Sequence, residues 1–330
     1  MAVAMTDTVI NYSGLLHTKT NNSTRLLNAV YARGRTTGDG IIATGVKRVN
    51  SIEFALSSDY SIGGGTQPAI TENASLTAPT ETNVTRSQVD NCVQIFHESI
   101  GVSYLKQSAV GTLGGINIAG QQNNVQNEVD FQVAGVFEKI KKDLDYTLIN
   151  GTYQKSTSNT VAWKSRGIIA GLADSKSEYT ALSADFFSQA INSAFGRGFV
   201  FEDGALEMWV NPADLQKINE IYSGLNGFTQ PATRTEGGYA IKTIMTDFGM
   251  LDIDYDQYIP QGTMLILNMR ELAIAELFVP GKDGTEGSFF YEELARTGAA
   301  FKGQVYGQAG IDYGAAQKHI LLTKSSGGGG

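Results

Sequence analysis

Apolar and polar positions change rhythm several times along this chain, and each rhythm predicts a different element. Residues 1–48 are mostly polar, with one short apolar cluster at Leu26, Leu27, Val30 and Tyr31, followed by Gly34, Gly38, Gly40 and Gly45. So little apolar surface cannot build a core of its own, and the stretch is expected to be an N-terminal arm lying on something else. From Val49 to Ile62, Ile52, Phe54 and Leu56 alternate with polar residues, the period of a half-buried strand. A second strand-like run, from about Val84 to Tyr104, carries Val89, Val93, Ile95 and Val102. Between them lies GGGTQPAITENASLTAPTETN, residues 63–83, opening on Gly63, Gly64 and Gly65 and nearly free of large apolar groups. Together they read as a long β-hairpin over 49–104, each arm reaching ~40 Å at ~3.3 Å per residue. Two strands alone are marginal in water, so this extended loop needs a surface, which another chain can supply.

Gln122 to Asn150 carries the clearest helical pattern. Val125, Val129, Val133, Val136, Ile140, Leu144 and Leu148 recur at spacings of three and four, tracing one apolar stripe. Glu138/Lys142, Lys139/Asp143 and Lys141/Asp145 place opposite charges four apart, and Gly151 is a stop signal. At ~1.5 Å per residue the helix would be about 43 Å long, against a radius of gyration of ~20 Å for a compact chain of this length. It is therefore expected to be the spine of a flat or elongated subunit.

The region after it alternates helical and extended patterns. Ser183 can cap a helix carrying Phe187, Ile191 and Phe195, closed by Gly196 and Gly198. Leu206–Val210 reads as a buried strand running into Asn211-Pro212, an N-cap with proline at the first helical position, then Leu215, Ile218 and Tyr222. Tyr239–Met245 and Met250–Tyr255 read as strands paired around Asp247-Phe248-Gly249, and Met264–Leu267 as another. Phe289 to Leu322 is strand-rich again, and KSSGGGG closes the chain as a tail expected to be flexible (325–330).

Composition narrows the function classes. Charged residues make up 18% of 330, below the ~25% usual for soluble proteins, which suits a surface covered by neighbours. The net charge is −8 and no basic run occurs, so tight sequence-independent DNA binding is not the expected task. The single cysteine, Cys92, excludes an intramolecular disulfide and reads as a small buried hydrophobe. Neither a signal peptide nor a run approaching ~20 apolar residues is present, so synthesis and folding in a cytoplasm, without a membrane partner, is expected.

Chemistry-bearing constellations are sparse. His17, His97 and His319 have no metal-ligand spacing, and none is expected to be catalytic. Asp252, Asp254 and Asp256 in LDIDYDQY are the densest carboxylates, but no calcium-loop pattern surrounds them and a solvated strand face is the expectation. Gly63-Gly64-Gly65, Gly114-Gly115 and Gly237-Gly238 lack the phosphate-loop and dinucleotide patterns, and no G-x-S-x-G elbow occurs. No catalytic, cofactor-binding or metal-binding residue is assigned, and no cofactor is expected.

The order of segments resembles the major capsid proteins of tailed phages with the Hong Kong 97-type fold, which encapsulins share. INYSGLLHTKTNNSTRLLNAVYARGR is similar to that family's N-arm, and VNSIEFALSSDYSIGGG through QVDNCVQIFHESIGVS to its extended loop and returning strand. EVDFQVAGVFEKIKKDLDYTLINGTYQ, followed by GIIAGL at 167–172, resembles the spine helix and its exit. LEMWVNPADLQKINEIY, MTDFGMLDIDYDQYIPQGTMLILN and YEELARTGAAFKGQVYGQAGIDYGAAQKHILL are similar to the axial strand–helix, the strand–turn–strand unit and the last peripheral strands. No lysine–asparagine pair matches the covalent crosslink of some relatives.

The resemblance implies an α+β fold: an N-terminal arm (1–48), an extended hairpin loop (49–104), a peripheral domain (105–164) with spine helix 122–150, an axial domain (165–285), and peripheral return strands (286–324). It implies a virion subunit made in the host cytoplasm, self-assembling as hexamers and pentamers into an icosahedral shell around double-stranded DNA, which it contacts without sequence specificity. Portal protein and possible scaffolding and decoration proteins are the other implied partners. Ile52, Phe54, Leu56, Gly63, Gly64, Gly65, Leu26, Leu27 and Tyr31 are the expected inter-subunit contacts. The alternatives are an encapsulin-like compartment, with the same fold around enzyme cargo, and a secreted or surface hydrolase using the LDIDYD acids.

Overall fold

The computed structural model describes residues 24–32, 35–36, 42–43, 45–60, 67–79, 81, 86–108, 128–202, 204–223, 242–280, 288–295 and 298–325. Leu206–Val210 (β6) organises the chain. All five residues, LEMWV, are buried, because β6 lies inside a sheet with both faces covered. The sheet also contains Lys176–Tyr179 (β5), Thr243–Thr246 (β7), Gly249–Tyr255 (β8), Thr263–Asn268 (β9) and Ile320–Lys324 (β13), in the order β5-β13-β9-β6-β8-β7. Side chains alternate across it. Met208, Val210, Met264, Ile266, Ile320 and Leu322 enter one core with Phe187 and Ile191 of helix α6 (Ala184–Phe195) and Ile218 and Tyr222 of helix α7 (Pro212–Ser223). Trp209, Leu265, Leu267 and Leu321 enter the other. One sheet thus serves two cores.

The second core is built on helix α4, Glu128–Asn150. Val133, Phe137, Ile140, Leu144 and Leu148 are buried along one stripe, each worth ~1.5–3 kcal/mol of transfer free energy. The helix was expected to begin at 122; residues 122–127 lie outside the described residues. Of the expected ion pairs, Lys142 reaches Glu138 at 3.1 Å. Lys139 instead pairs with Glu98 on the adjoining strand, and Lys141 is turned inward and buried. Gly151 ends the helix where two backbones meet: a Cβ there would lie 2.5 Å from Thr147 O and 2.6 Å from Ser165 O.

Against α4 lies the other sheet. Its 13-residue strand β12 (Ala300–Asp312) pairs along one edge with Gln94–Ser103 (β4) and along the other with Phe290–Glu293 (β11) and Ala273–Leu277 (β10). Val46–Val49 (β1) joins β10 in parallel. The extended hairpin proper is therefore shorter than 49–104. Glu53–Tyr60 (β2) pairs with Arg86–Cys92 (β3), with a register shift between Ala55 and Ser58, while 94–103 belongs to the body sheet. A second departure concerns Ile320–Lys324, expected among the peripheral return strands. Its contiguous apolar run is buried on both faces between β5 and β9, in the six-stranded sheet.

Other expectations meet their elements. Ser183 stands at the N-cap of α6 in extended conformation, although its side chain makes no capping bond. Asn211 Oδ1 accepts from Ala213 N (3.0 Å) at the start of α7. β7 and β8 pair around Asp247-Phe248, with 239–241 outside the described residues. The strands β5 and β10, the short helix Ile168–Gly171 (α5) and the parallel pairing of β1 were not anticipated.

Candidate assembly surfaces

Most of the residues expected to touch a neighbour are used inside the chain. Leu26, Leu27 and Tyr31 lie on helix α1, Arg25–Ala32, and are buried in the core around α4. Phe54 and Leu56 are buried in the same core. Phe54 Cε1 faces Gly310 of β12, so the root of the hairpin packs on its own body. The expectation fails for these five because glycine on β12 opens a slot for the ring and α4 offers α1 a groove. Ile52 is exposed. Gly63, Gly64 and Gly65 lie outside the described residues.

Between the two hairpin strands the described residues are exposed. Every described residue from 67 to 79 is open to solvent, including Ile70 (74% exposed) and Leu76 (82%). They flank a four-residue helix, Glu72–Ser75, in which Thr71 Oγ1 accepts from Ala74 N at 3.2 Å. These apolar side chains rise from a stretch that sequence reasoning treated as nearly without them. A second exposed group lies at the β7 edge of the six-stranded sheet. Met245 (77% exposed) and Met250 (55%) are cross-strand partners, and Phe248 at the turn meets Phe195 edge-on at 5.0 Å.

Of the three LDIDYD carboxylates only Asp252 faces water. Asp252 is exposed and accepts from Thr243 Oγ1 (3.0 Å). Asp254 is half-buried and holds the Arg25 guanidinium through three contacts of 2.6 to 3.0 Å, with Arg25 lying 4.3 Å over the Tyr255 ring. Asp256 is fully buried; its Oδ2 accepts from Leu26 N (3.0 Å) and its Oδ1 from Tyr258 N (2.9 Å). Asp145 of α4, also fully buried, accepts from Leu27 N at 3.1 Å. The start of α1 is therefore capped by two acids from distant elements. At its other end Tyr31 faces Glu276 of β10, where burial, then the Glu276 charge, pushes the phenol well up.

The remaining reactive groups are structural. Asn91 is a buried hub: Nδ2 donates to Ile311 O (2.6 Å) and Arg166 O (3.0 Å), and Oδ1 accepts from Arg166 N (2.7 Å) and Cys92 N (2.9 Å). Beside it Cys92 is buried, its thiol pushed up to about 11 mainly by burial, and its Sγ lies 3.0 Å from Lys164 O. His319 is buried; its Nδ1 accepts from Asn268 N (3.1 Å), so Nε2 carries the proton donated to Tyr313 O (2.7 Å). Burial lowers that imidazole to about 4. His97 is exposed on β4 and bonded to Gln304. Among the described residues no His, Cys, Asp and Glu cluster has the arrangement of a metal site, and His17, Gly114-Gly115 and Gly237-Gly238 lie outside them.

Comparison with known families decides the identity: the family described as "SU10 major capsid protein" matches residues 3–326. The chain belongs to that family. It is a major capsid protein, and its mixed α+β fold of helices and several sheets is the Hong Kong 97-type fold of phage capsids and an encapsulin. No curated protein sequence matches it.

Among solved structures, the capsid asymmetric unit of cyanophage A-1(L) matches with TM-score 0.59 at 12% identity, covering 91% of this chain and 92% of that one. A structure from Mycobacterium phage Patience matches with TM-score 0.52 at 12% identity over 90% and 92%. The SrpI encapsulin complex of Synechococcus elongatus PCC 7942 matches with TM-score 0.51 at 11% identity over 84% of each chain. An encapsulin and phage capsids share this architecture, so the fold alone does not separate a phage capsid protein from a compartment shell. The family match does.

Proposed function

We propose that this major capsid protein tiles an icosahedral shell as hexamers and pentamers around packaged double-stranded DNA, acting as a structural unit without turnover. The observation that carries the reading is the exposed distal part of the hairpin, where Ile70 and Leu76 have no core beneath them. Apolar side chains so placed gain little from the monomer and much from a neighbour's surface. Ile52, just before β2, extends the same contact. The Met245, Met250 and Phe248 group serves a second contact, between regions about 165–285 gathered around the local symmetry axis. Regions 105–164 and 286–324, without the last strand, form the periphery, and residues 1–48 reach along it. Many modest contacts per subunit make the closed shell stable through avidity. The net charge of −8 keeps DNA from adhering to the wall, so contact with it is weak and not sequence-specific. Portal, scaffolding and decoration proteins would meet the finished lattice in the virion, after assembly in the host cytoplasm.

The test is a subunit in which residues 61–82 are replaced by a short Gly-Ser turn. The buried hairpin root is untouched, so a soluble subunit with unchanged circular dichroism is expected, and electron microscopy should show no closed particles. Closed particles from that variant would overturn the assignment of the hairpin. Nuclease-protected DNA in particles from infected cells, rather than protein cargo, is expected of the phage shell.

A further inference from the structure

Helix α1 begins against two carboxyl groups that also face each other. Leu26 N–H donates to Asp256 and Leu27 N–H to Asp145, so consecutive amides of one helical turn are claimed by two acids that are fully buried. Asp145 Oδ2 is buried with no N–H or O–H donor reaching it among the described residues. An ionised carboxylate oxygen in that position loses its hydration with nothing to replace it, and is disfavoured. Asp145 does have a neighbour: its carboxyl meets that of Asp256. Two buried carboxylates in contact cannot both ionise cheaply, whereas one proton between them satisfies the stranded oxygen and bonds the pair.

We propose that a proton shared between Asp145 and Asp256 latches α1 onto α4 and β8, so that alkalinisation frees α1. The latch stands on the geometry of the single subunit and does not depend on the assembly reading.

The surrounding charges favour such a latch. From α1, Arg25 is engaged by Asp254 and stacked on Tyr255, so it is not available to balance a second negative charge. From α4, Lys141 is buried one turn before Asp145; burial lowers its ammonium, while Asp145 and Glu138 pull the other way. From β8 comes another acid, Asp254, and from the turn after it Tyr258 offers its backbone N–H. Glu276 of β10 lies at the far end of α1, facing Tyr31. The helix N-terminus itself balances about half a charge. Burial, then the Asp256 charge, raises the Asp145 carboxyl well above the carboxylate range, and burial raises Asp256. A group raised in the folded state gives stability that is fully present below its unfolded value and is lost as pH climbs through the folded one. The latch therefore weakens on the alkaline side.

Hydrogen exchange on the full-length subunit between pH 5 and 9, corrected for the intrinsic rate, reads this directly. Protection of the amides of 24–32 should fall by up to about tenfold per pH unit through the titration, the limit for one linked proton, while the 206–210 amides of β6 keep theirs. Asp145→Asn keeps an oxygen for Leu27 and offers an N–H to Asp256, so its protection should be flat and retained at pH 9. Asp145→Leu should lose protection at every pH. Flat wild-type protection, as when Lys141 balances the second charge, would overturn the latch, and so would Asp145→Asn behaving like wild type. Infrared spectroscopy of the wild type needs no variant: a protonated aspartic acid band at neutral pH is expected, and its absence would equally overturn the proposal.

Discussion

Gly307→Ala is a one-methyl perturbation whose cost is set by a single ring. Gly307 lies in the middle of β12, opposite Phe96 of β4. A Cβ there would fall 2.5 Å from Phe289 Cγ and closer still to Cδ1 and Cε1. Carbon atoms rest comfortably at ~3.5–4.0 Å, so the ring must retreat by more than ~1 Å. It has nowhere to go, being 1% exposed and tilted at 43° against the Phe96 ring, 6.0 Å away. Overpacking of this kind costs about 1–3 kcal/mol. The loss of glycine freedom in the unfolded chain offsets ~0.4–1 kcal/mol, since Gly307 does not have positive φ. Overpacking wins, and a net destabilisation of about 1–2 kcal/mol should appear as a lower urea midpoint with an unchanged slope. The companion measurement is the double-mutant cycle with Phe289→Ala, itself costing ~3–5 kcal/mol. Without the ring, Gly307→Ala should become neutral or slightly stabilising. A full cost for Gly307→Ala in the Phe289→Ala background, or none in the wild type, would refute the ring-over-glycine account.

Asn91→Ala removes five hydrogen bonds at once, the one from Ser165 Oγ (3.4 Å) included, and strips the buried Ile311 carbonyl and the part-buried Arg166 backbone of this partner; a loss of about 3–5 kcal/mol by urea denaturation is expected, and a loss below ~1 kcal/mol would show the hub to be dispensable. His319 is held neutral, lowered to about 4 from the ordinary ~6.5, so its contribution is present above ~6.5 and is lost as pH falls to about 4, a span worth roughly 3 kcal/mol. His319→Gln should remove that acid-side slope, a direction opposite to that of Asp145, and an unchanged pH profile would contradict the assignment.

Much of the body was legible because its elements obey one period each. The spine helix shows its stripe, and LEMWV followed by Asn-Pro announces a buried strand and a helix start before any pairing is known. What escaped depends on contacts distant in sequence. Lys176–Tyr179 has no strand-like alternation, and it is a strand because β13 lies beside it. Leu26, Leu27 and Tyr31 show correctly that α1 must be covered, but a lone apolar cluster does not say by which chain. The LDIDYD acids read as solvated because alternate acids on a strand usually are. Only the three-dimensional meeting of Asp256, Asp145 and α1 turns two of them inward. Asn91 carried no local signal, since apart from the adjacent Cys92 its partners lie 74 to 220 positions away.

The position of Ile320–Lys324 sets an order of events during synthesis. This strand sits between β5 and β9, and β5 has no other partner in the sheet. Every other strand of the sheet leaves the ribosome earlier, so nascent chains carry an open seam until the last of these residues emerges. Prematurely terminated chains would keep that seam open, with one face of each core unclosed. The six-stranded sheet thus depends, for the seam at its centre-to-edge step, on a segment translated after all its other strands.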